Sequence, residues 1–422
     1  MNTQKNSRTL FKGGTVVTMN PAVPNLATGD VLVDGDRIAA VGANLQVDDT
    51  QVIDAAGSIV MPGLIDAHHH MWLGVMRRMM PDVDDLFAYI GVVAETLGVH
   101  YRPLDMYLST RLTAVASLDA GVATIVDACH SSRSPAHTDA ALDALDASGI
   151  RALHMVGAAM DKKASVAHLP ADLERLGTHW NNDGGLVRVG LFGQLNLGWW
   201  KVACSLDMRI LTEFIGDLAK IGPEFAEPGV LGPHNIFNHC TRVPQETWKL
   251  FADAGINVTF NPRSDALFGF DDESFAYQQA IDHGLTPALG IDLDTAFGSD
   301  LFGEMRALFG QQRAAMRYRR FRGEAKVPAP ISVEAVLEAA TVGGARAAGL
   351  DGSVGTIVQA VERSDVDTVI VAGAIRKRAG KLVDVDVAKL AADVTASRDF
   401  LLEASGYRPD LFDPSTAAKI AA

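Results

Sequence analysis

The segment Ile65-Asp66-Ala67-His68-His69-His70 closes a short apolar run and carries the sharpest chemical signal in the chain. Residues i and i+2 of a strand share a face, so His68 and His70 can aim two imidazoles at one ion while His69 points away. An H-x-H pair alone also fits a histidine run on a loop. Two further residues end apolar runs elsewhere: His239 in Asn238-His239-Cys240 and Asp292 in Gly290-Ile291-Asp292. A divalent ion lowers the pKa of bound water to about 7, and an adjacent carboxylate can accept the proton. Together these residues mark a candidate metal site, with Asp292 as a carboxylate beside it. The alternative for Asp292 is to cap the next helix, since Asp is a favoured N-cap, and His239 could simply cap its strand.

Downstream of Pro62-Gly63, apolar runs alternate with stretches of helical period, the pattern of βα units on a parallel sheet. Eight candidate strands occupy 64–68, 122–127, 150–156, 186–193, 208–214, 235–239, 256–261 and 286–292. Eight is the number of a closed (β/α)8 barrel, an α/β fold whose active site sits at the C-terminal strand ends. Residues far apart in sequence, such as His68, His239 and Asp292, can converge there. Ser134-Pro135 and Gly149 bracket one helix, and Pro244 and Gly255 another. Before Val60, β segments at 14–19, 30–33, 37–41 and 51–54 predict a small antiparallel unit. After the barrel, 331–348 reads as a helix, 368–372 with Ala379-Gly380 as a hairpin, and 387–404 as a terminal helix. The expected division is a barrel over 61–357 and a composite β domain from 1–60 plus 358–422.

Taken in order, Pro62-Gly63-Leu64-Ile65-Asp66-Ala67-His68-His69-His70, Asn238-His239-Cys240, Asn261-Pro262-Arg263-Ser264 and Gly290-Ile291-Asp292 resemble the amidohydrolase superfamily. The likeness is to its aminohydrolase and chlorohydrolase branch, which holds cytosine, guanine and S-adenosylhomocysteine deaminases and the triazine hydrolases. It spans about residues 10–383. The resemblance implies a (β/α)8 barrel with a β-sandwich built from both chain ends. It also implies one divalent ion, zinc first with iron or manganese as alternatives, holding a hydroxide that attacks an sp² carbon. Carried over, His68 and His70 are ligands, Asp292 binds the ion and shuttles the proton, and His239 contacts the hydroxide or the leaving group.

The chain departs from that pattern at the fifth strand, where the family has a ligand His followed three residues later by a proton-donating Glu. Here the strand reads Arg209-Ile210-Leu211-Thr212-Glu213-Phe214-Ile215-Gly216. The preferred register sets Glu213 as the acid and Ile210 in the ligand position, leaving His68, His70 and Asp292, with His239 moving in as a further ligand. The other register makes Glu213 the ligand and puts Gly216 in the acid position. A second departure follows Ser353-Val354-Gly355-Thr356-Ile357, where Val358-Gln359-Ala360 replaces the expected Gly-Lys-x-Ala-Asp segment and alters the β-sandwich.

Other strand-end residues are candidates for substrate contact: His130, Arg263 as a carboxylate clamp, and Trp72, Trp199 and Trp200 as stacking surfaces, with core packing or ion pairing as the plainer alternative. His154 falls in mid-strand and reads as a core histidine, and His234 precedes its strand and reads as structural. A net charge of −14, from 37 Lys and Arg against 51 Asp and Glu, disfavours nucleic acid and anionic membranes as partners. Three scattered cysteines without a C-x-x-C pair argue against a thiolate zinc site, and with no apolar leader they predict a cytoplasmic protein. A small-molecule substrate and a homo-oligomer are expected. The competing functional classes are a lyase or isomerase using Glu213 as acid or base, possible without metal, and a binding protein with a degenerate site.

Overall fold

The computed structural model describes residues 8–162, 168–181, 185–216, 220–271, 275–349 and 362–409. The departure noted at 353–360 lies outside the described residues.

Eight parallel strands follow one another around a barrel in sequence order. They are β6 (Leu64–His69), β7 (Val122–Cys129), β8 (Arg151–Val156), β9 (Val187–Phe192), β10 (Ile210–Ile215), β11 (Asn235–Thr241), β12 (Asn257–Phe260) and β13 (Ala288–Leu289). The last expected strand, 286–292, is thus reduced to a two-residue ladder. Beyond it the chain still follows β6: a parallel bridge joins His69 to Asp292, His70 N–H donates to the Asp292 carbonyl at 2.9 Å, and Asp292 N–H donates to the His68 carbonyl at 2.9 Å. Closure of the barrel therefore places the H-x-H strand and Asp292 side by side.

The strands are buried on both faces, which is why they read as continuous apolar runs. Ala67, Val126, Ala128, Leu153, Phe192, Leu211 and Ile236 fill the barrel interior. Ile125, Val187, Ile210, Phe214, Phe237 and Val258 belong to the larger core between strands and helices. The two sets alternate along each strand. On β10 this parity puts Leu211 and Glu213 on the inner face and Ile210 and Phe214 on the outer.

The helix Pro135–Ser148 starts after Ser134 and ends at Gly149, φ 68°. The helix Gln245–Ala254 follows Pro244 and ends at Gly255, φ 69°. Both ends need the left-handed conformation that glycine adopts without a Cβ penalty.

At the N-terminus, β1 (Arg8–Val16), β2 (Leu26–Asp34), β3 (Arg37–Gly42), β4 (Gln51–Asp54) and β5 (Ile59–Val60) form one sheet. The expectation of an antiparallel unit holds only for β1–β2–β3: β4 and β5 pair with β1 in parallel. The chain leaves β3 at one edge and crosses to the far side of β1 before adding β4, and a crossover of this kind gives a parallel neighbour where a hairpin gives an antiparallel one. The C-terminal strands β14 (Val369–Val371), β15 (Ala374–Arg378) and β16 (Lys381–Leu382) form a separate antiparallel sheet. The two sheets meet at their turns, where Gly373, φ 78°, packs so closely on the Gly35 carbonyl that no Cβ fits. The Lys377 side chain, buried, ties β15 to the barrel helix Pro103–Asp119 by pairing with the Asp119 carboxylate at 3.0 Å and donating to its carbonyl at 2.6 Å.

Candidate metal centre

Four side chains from three strand ends point their donor atoms into one small volume above the barrel interior. His68 Nε2 and His70 Nε2 are 3.3 Å apart. Asp292 Oδ1 lies 3.4 Å from the first and 3.2 Å from the second. Glu213 Oε1 lies 3.7 Å and 2.9 Å from the same two atoms. Ligands held about 2.1 Å from a tetrahedral ion are about 3.4 Å from one another, so the donor spacing matches that of a single metal shell. His239 stands beside the group, with a nitrogen within 4.8 Å of the His68, Glu213 and Asp292 donors.

The tautomers support the same fit. His70 Nδ1 faces the Ala128 carbonyl at 2.6 Å; a carbonyl only accepts, so Nδ1 carries the proton and Nε2 presents its lone pair. His239 Nδ1 donates to Asp265 Oδ1 at 2.7 Å, which leaves its Nε2 for the site. Asp292 turns one oxygen to the imidazoles and accepts from Ser264 Oγ at 2.5 Å with the other. Lone pairs and carboxylate oxygens facing one another at these distances fit a shared cation. Both His239 (φ 64°) and Asp292 (φ 73°) adopt the left-handed backbone region. Non-glycine residues there store strain, and such residues cluster at functional sites.

The electrostatics show how strongly the shell selects for positive charge. Burial alone raises a carboxyl pKa, yet the His70 hydrogen bond and the neighbouring imidazoles hold Glu213 down at about 2. Asp292, against the same cost of burial, is held well below the usual carboxylate range by His68 and His70. Burial lowers His68, whereas on His70 it is outweighed by Asp292 and Glu213, which raise it. His239, although buried, is raised to about 9 chiefly by Asp265.

A second ring of residues holds the donors in place, and sequence reasoning gave none of these residues that role. Asp66 accepts from the Ile291 N–H at 3.1 Å with Oδ1 and from His69 Nδ1 at 2.7 Å with Oδ2, binding β6 to the chain before Asp292. His69 faces Asp294 Oδ2 at 3.5 Å on its other side. Burial notwithstanding, the two carboxylates lift it to about 10, so it is an imidazolium turned away from the centre. Asp265 lies 26 residues beyond His239, and no local spacing marks it as that residue's partner.

No protein-family model matches the chain. It is similar to the 5-methylthioadenosine/S-adenosylhomocysteine deaminase of Syntrophobacter fumaroxidans, 26% identical over 389 residues, covering 82% of this chain and 81% of the relative. Among solved structures it is similar to the atrazine chlorohydrolase of Arthrobacter aurescens complexed with zinc: TM-score 0.77 at 21% identity, over 92% of this chain and 100% of that one. It is likewise similar to an adenosine deaminase from Xanthomonas campestris with bound zinc: TM-score 0.77 at 20% identity, over 94% and 99%. In sequence and in fold the chain is thus similar to deaminases and hydrolases of the amidohydrolase superfamily. Its His/Glu/Asp cluster fits the single divalent ion expected of such a barrel.

Set beside the expected amidohydrolase pattern, the fifth strand departs in a different way from the preferred alignment. Ile210 cannot stand in a ligand position, because it faces outward into the core between strand and helices. It is Glu213 that reaches His68 and His70. Three residues on, Gly216 sits so close to the Arg242 carbonyl that no Cβ fits there.

His130 adjoins the centre, and Trp72, fully buried, packs behind it. The His130 ring lies 4.3 Å from that of His70, 5.3 Å from Trp72 and 5.5 Å from Phe192. Burial lowers His130 to about 3, so it is neutral, and neither its Nδ1 nor the Trp72 indole N–H finds a partner among the described residues. The remaining aromatic and Arg expectations are corrected. Trp200 is fully buried between barrel and helices against Phe225 and Phe237, donating to the Gly193 and Gln194 carbonyls. Trp199, on the same helix Leu197–Ser205, packs against that core. Neither is a stacking surface in the site. Arg263 is committed to buried Glu304, Nε to Oε1 at 2.5 Å, and to the Gly298 and Asp300 carbonyls, so it has no fork to offer a carboxylate ligand.

Proposed function

We propose that this protein is a metal-dependent hydrolase that displaces an amine, or a comparable leaving group such as chloride, from an sp² ring carbon of a small heterocycle. The observation that carries the reading is the 2.9–3.7 Å spacing of two imidazole and two carboxylate donors at the mouth of the barrel. In it His68, His70, Asp292 and Glu213 hold the ion, with zinc fitting the four-donor geometry. This revises Glu213 from proton donor to ligand. When bound, the ion supplies an activated water at neutral pH.

The chain's own residues supply the rest. Asp292, steadied by Ser264, would accept the proton of the attacking water and pass it to the departing amine, the role that Glu213 as a ligand no longer fills. His239, fixed by Asp265, contacts the nucleophile or the leaving group through Nε2. His130, backed by the buried rings of Trp72 and Phe192, offers the flat face nearest the donors for a heterocycle. The deaminase names of the sequence relatives support amine release from purine nucleosides as the first chemistry to test. The same reading takes 61–357 as the catalytic barrel and 1–60 with 358–422 as its β appendage. We also place the protein in the cytoplasm as a homo-oligomer, a reading supported by three free cysteines and by exposed Phe87, Tyr318 and Phe321.

The test is ammonia or chloride release from S-adenosylhomocysteine, 5-methylthioadenosine and chlorotriazines by metal-loaded enzyme in H2¹⁸O. Label in the product together with a stoichiometric leaving group is expected. Turnover without label would favour a lyase or isomerase, and tight binding without turnover a binding protein.

A further inference from the structure

We infer that Glu213 retunes this centre toward oxygen-preferring divalent ions, so that manganese(II) competes with zinc(II) for it. The inference rests on the proposal that Glu213 is a ligand. Imidazole and thiolate donors suit zinc, whereas carboxylate and water suit manganese, and sites of mixed His and carboxylate donors accept ions that prefer higher coordination.

Three features of the shell point the same way. First, the inner-face position on β10 that would carry a third neutral imidazole carries a carboxylate, giving a donor set of two imidazoles and two carboxylates. The formal charge of that set is −2, enough to neutralise a divalent ion without help from a bound anion. Second, no soft donor is within the group: the donors gathered here are His, Glu and Asp alone, and Cys240 spends its thiol on the Phe237 carbonyl. Third, the Glu213 side chain is 21% exposed while those of His68, His70 and Asp292 are at most 4% exposed. The open side of the centre is therefore the carboxylate side, and Gly216 beyond it has no room for a side chain. A carboxylate there can shift from one oxygen to two, and solvent can add further oxygens, which a tetrahedral nitrogen-rich site does not permit.

The experiment uses the full chain, stripped by chelator, as wild type, Glu213→His and Glu213→Gln, with circular dichroism confirming the fold of each. Affinities for Mn²⁺ and Zn²⁺ are measured by competition against a chelating dye, and bound Mn²⁺ is read by electron paramagnetic resonance. The ratio Kd(Mn)/Kd(Zn) is expected to rise about tenfold or more in Glu213→His, while Glu213→Gln weakens both ions. An unchanged ratio in a Glu213→His variant that still binds zinc would overturn the inference and leave the metal-hydrolase reading standing. Wild-type affinity for both ions in Glu213→Gln would remove Glu213 from the shell. Binding of neither ion by folded wild type would overturn the underlying reading together with this one.

Discussion

Replacing His154 by Leu should cost the barrel several kcal/mol, and the cost should fade as the pH rises. His154 is fully buried on β8 and donates through Nδ1 to Asp127 Oδ2 at 2.6 Å. The other Asp127 oxygen accepts from the Met71 N–H at 3.1 Å, one residue past His70. Burial opposes protonation of His154, but the Asp127 charge and hydrogen bond raise it from 6.5 to about 10. A folded pKa above the unfolded one stabilises the native state fully below pH 6.5, and that stability is lost as the pH climbs through 10. At 1.36 kcal/mol per pH unit, the span from 6.5 to about 10 is worth about 5 kcal/mol. The same relation leaves about 3 kcal/mol at pH 7.5 and about 1 kcal/mol at pH 9. Measured losses of 3–5 kcal/mol on removing one partner of a buried pair, about the range expected, agree with the low-pH figure. The assay is thermal unfolding of wild type and variant from pH 6 to 9.5. A gap between them that stays constant with pH would refute the buried imidazolium, and a variant as stable as wild type at pH 6 would refute the pair.

Asp292→Asn should lower turnover by about 10²-fold or more while leaving the melting temperature within a few degrees, read by steady-state kinetics and calorimetry. Arg263→Ala should destabilise by about 3 kcal/mol, since it strands buried Glu304 without its partner. Its KM should stay within about twofold of wild type, and a large rise in KM would return Arg263 to the substrate pocket. Trp200→Ala should destabilise by about 3–5 kcal/mol through the cavity left between barrel and helices, with kcat/KM per folded molecule unchanged.

Legibility in the sequence followed the physics of each element. The H-x-H face, the strand-end positions of His239 and Asp292, and the glycine-terminated helices were readable because each rests on local periodicity or on one backbone conformation. The facing of β10 was not. In Ile210-Leu211-Thr212-Glu213-Phe214, both the outward Ile210 and the inward Leu211 are apolar, because a barrel strand is buried on both sides. Alternation therefore carries no polarity signal, and only closure of the sheet decides that Glu213 joins His68 and His70. The parallel placement of β4 is hidden for a related reason: a crossover leaves no mark in the strand it delivers. For Trp200 and Arg263 the choice between substrate contact and the plainer core packing or ion pair stays open in the sequence, because position near a strand end does not say which side of the strand a following helix turns its side chains toward.

The histidines of the barrel mouth sort themselves by their partners. His69 leans on Asp66, His154 on Asp127 and His239 on Asp265, each pair 2.6–2.7 Å apart and each imidazole raised to about 9 or 10 against the cost of burial. These three are cations compensated by their own carboxylates. His68 and His70 have no such private partner: Nδ1 of His70 uses a backbone carbonyl, and that of His68 is unpartnered among the described residues. Their carboxylates among the described residues, Glu213 and Asp292, are shared and face Nε2, where a single ion would satisfy all four groups at once. What sets His68 and His70 apart is therefore the pair of carboxylates shared at Nε2, since a carbonyl or a carboxylate on Nδ1 holds a ligand imidazole equally well.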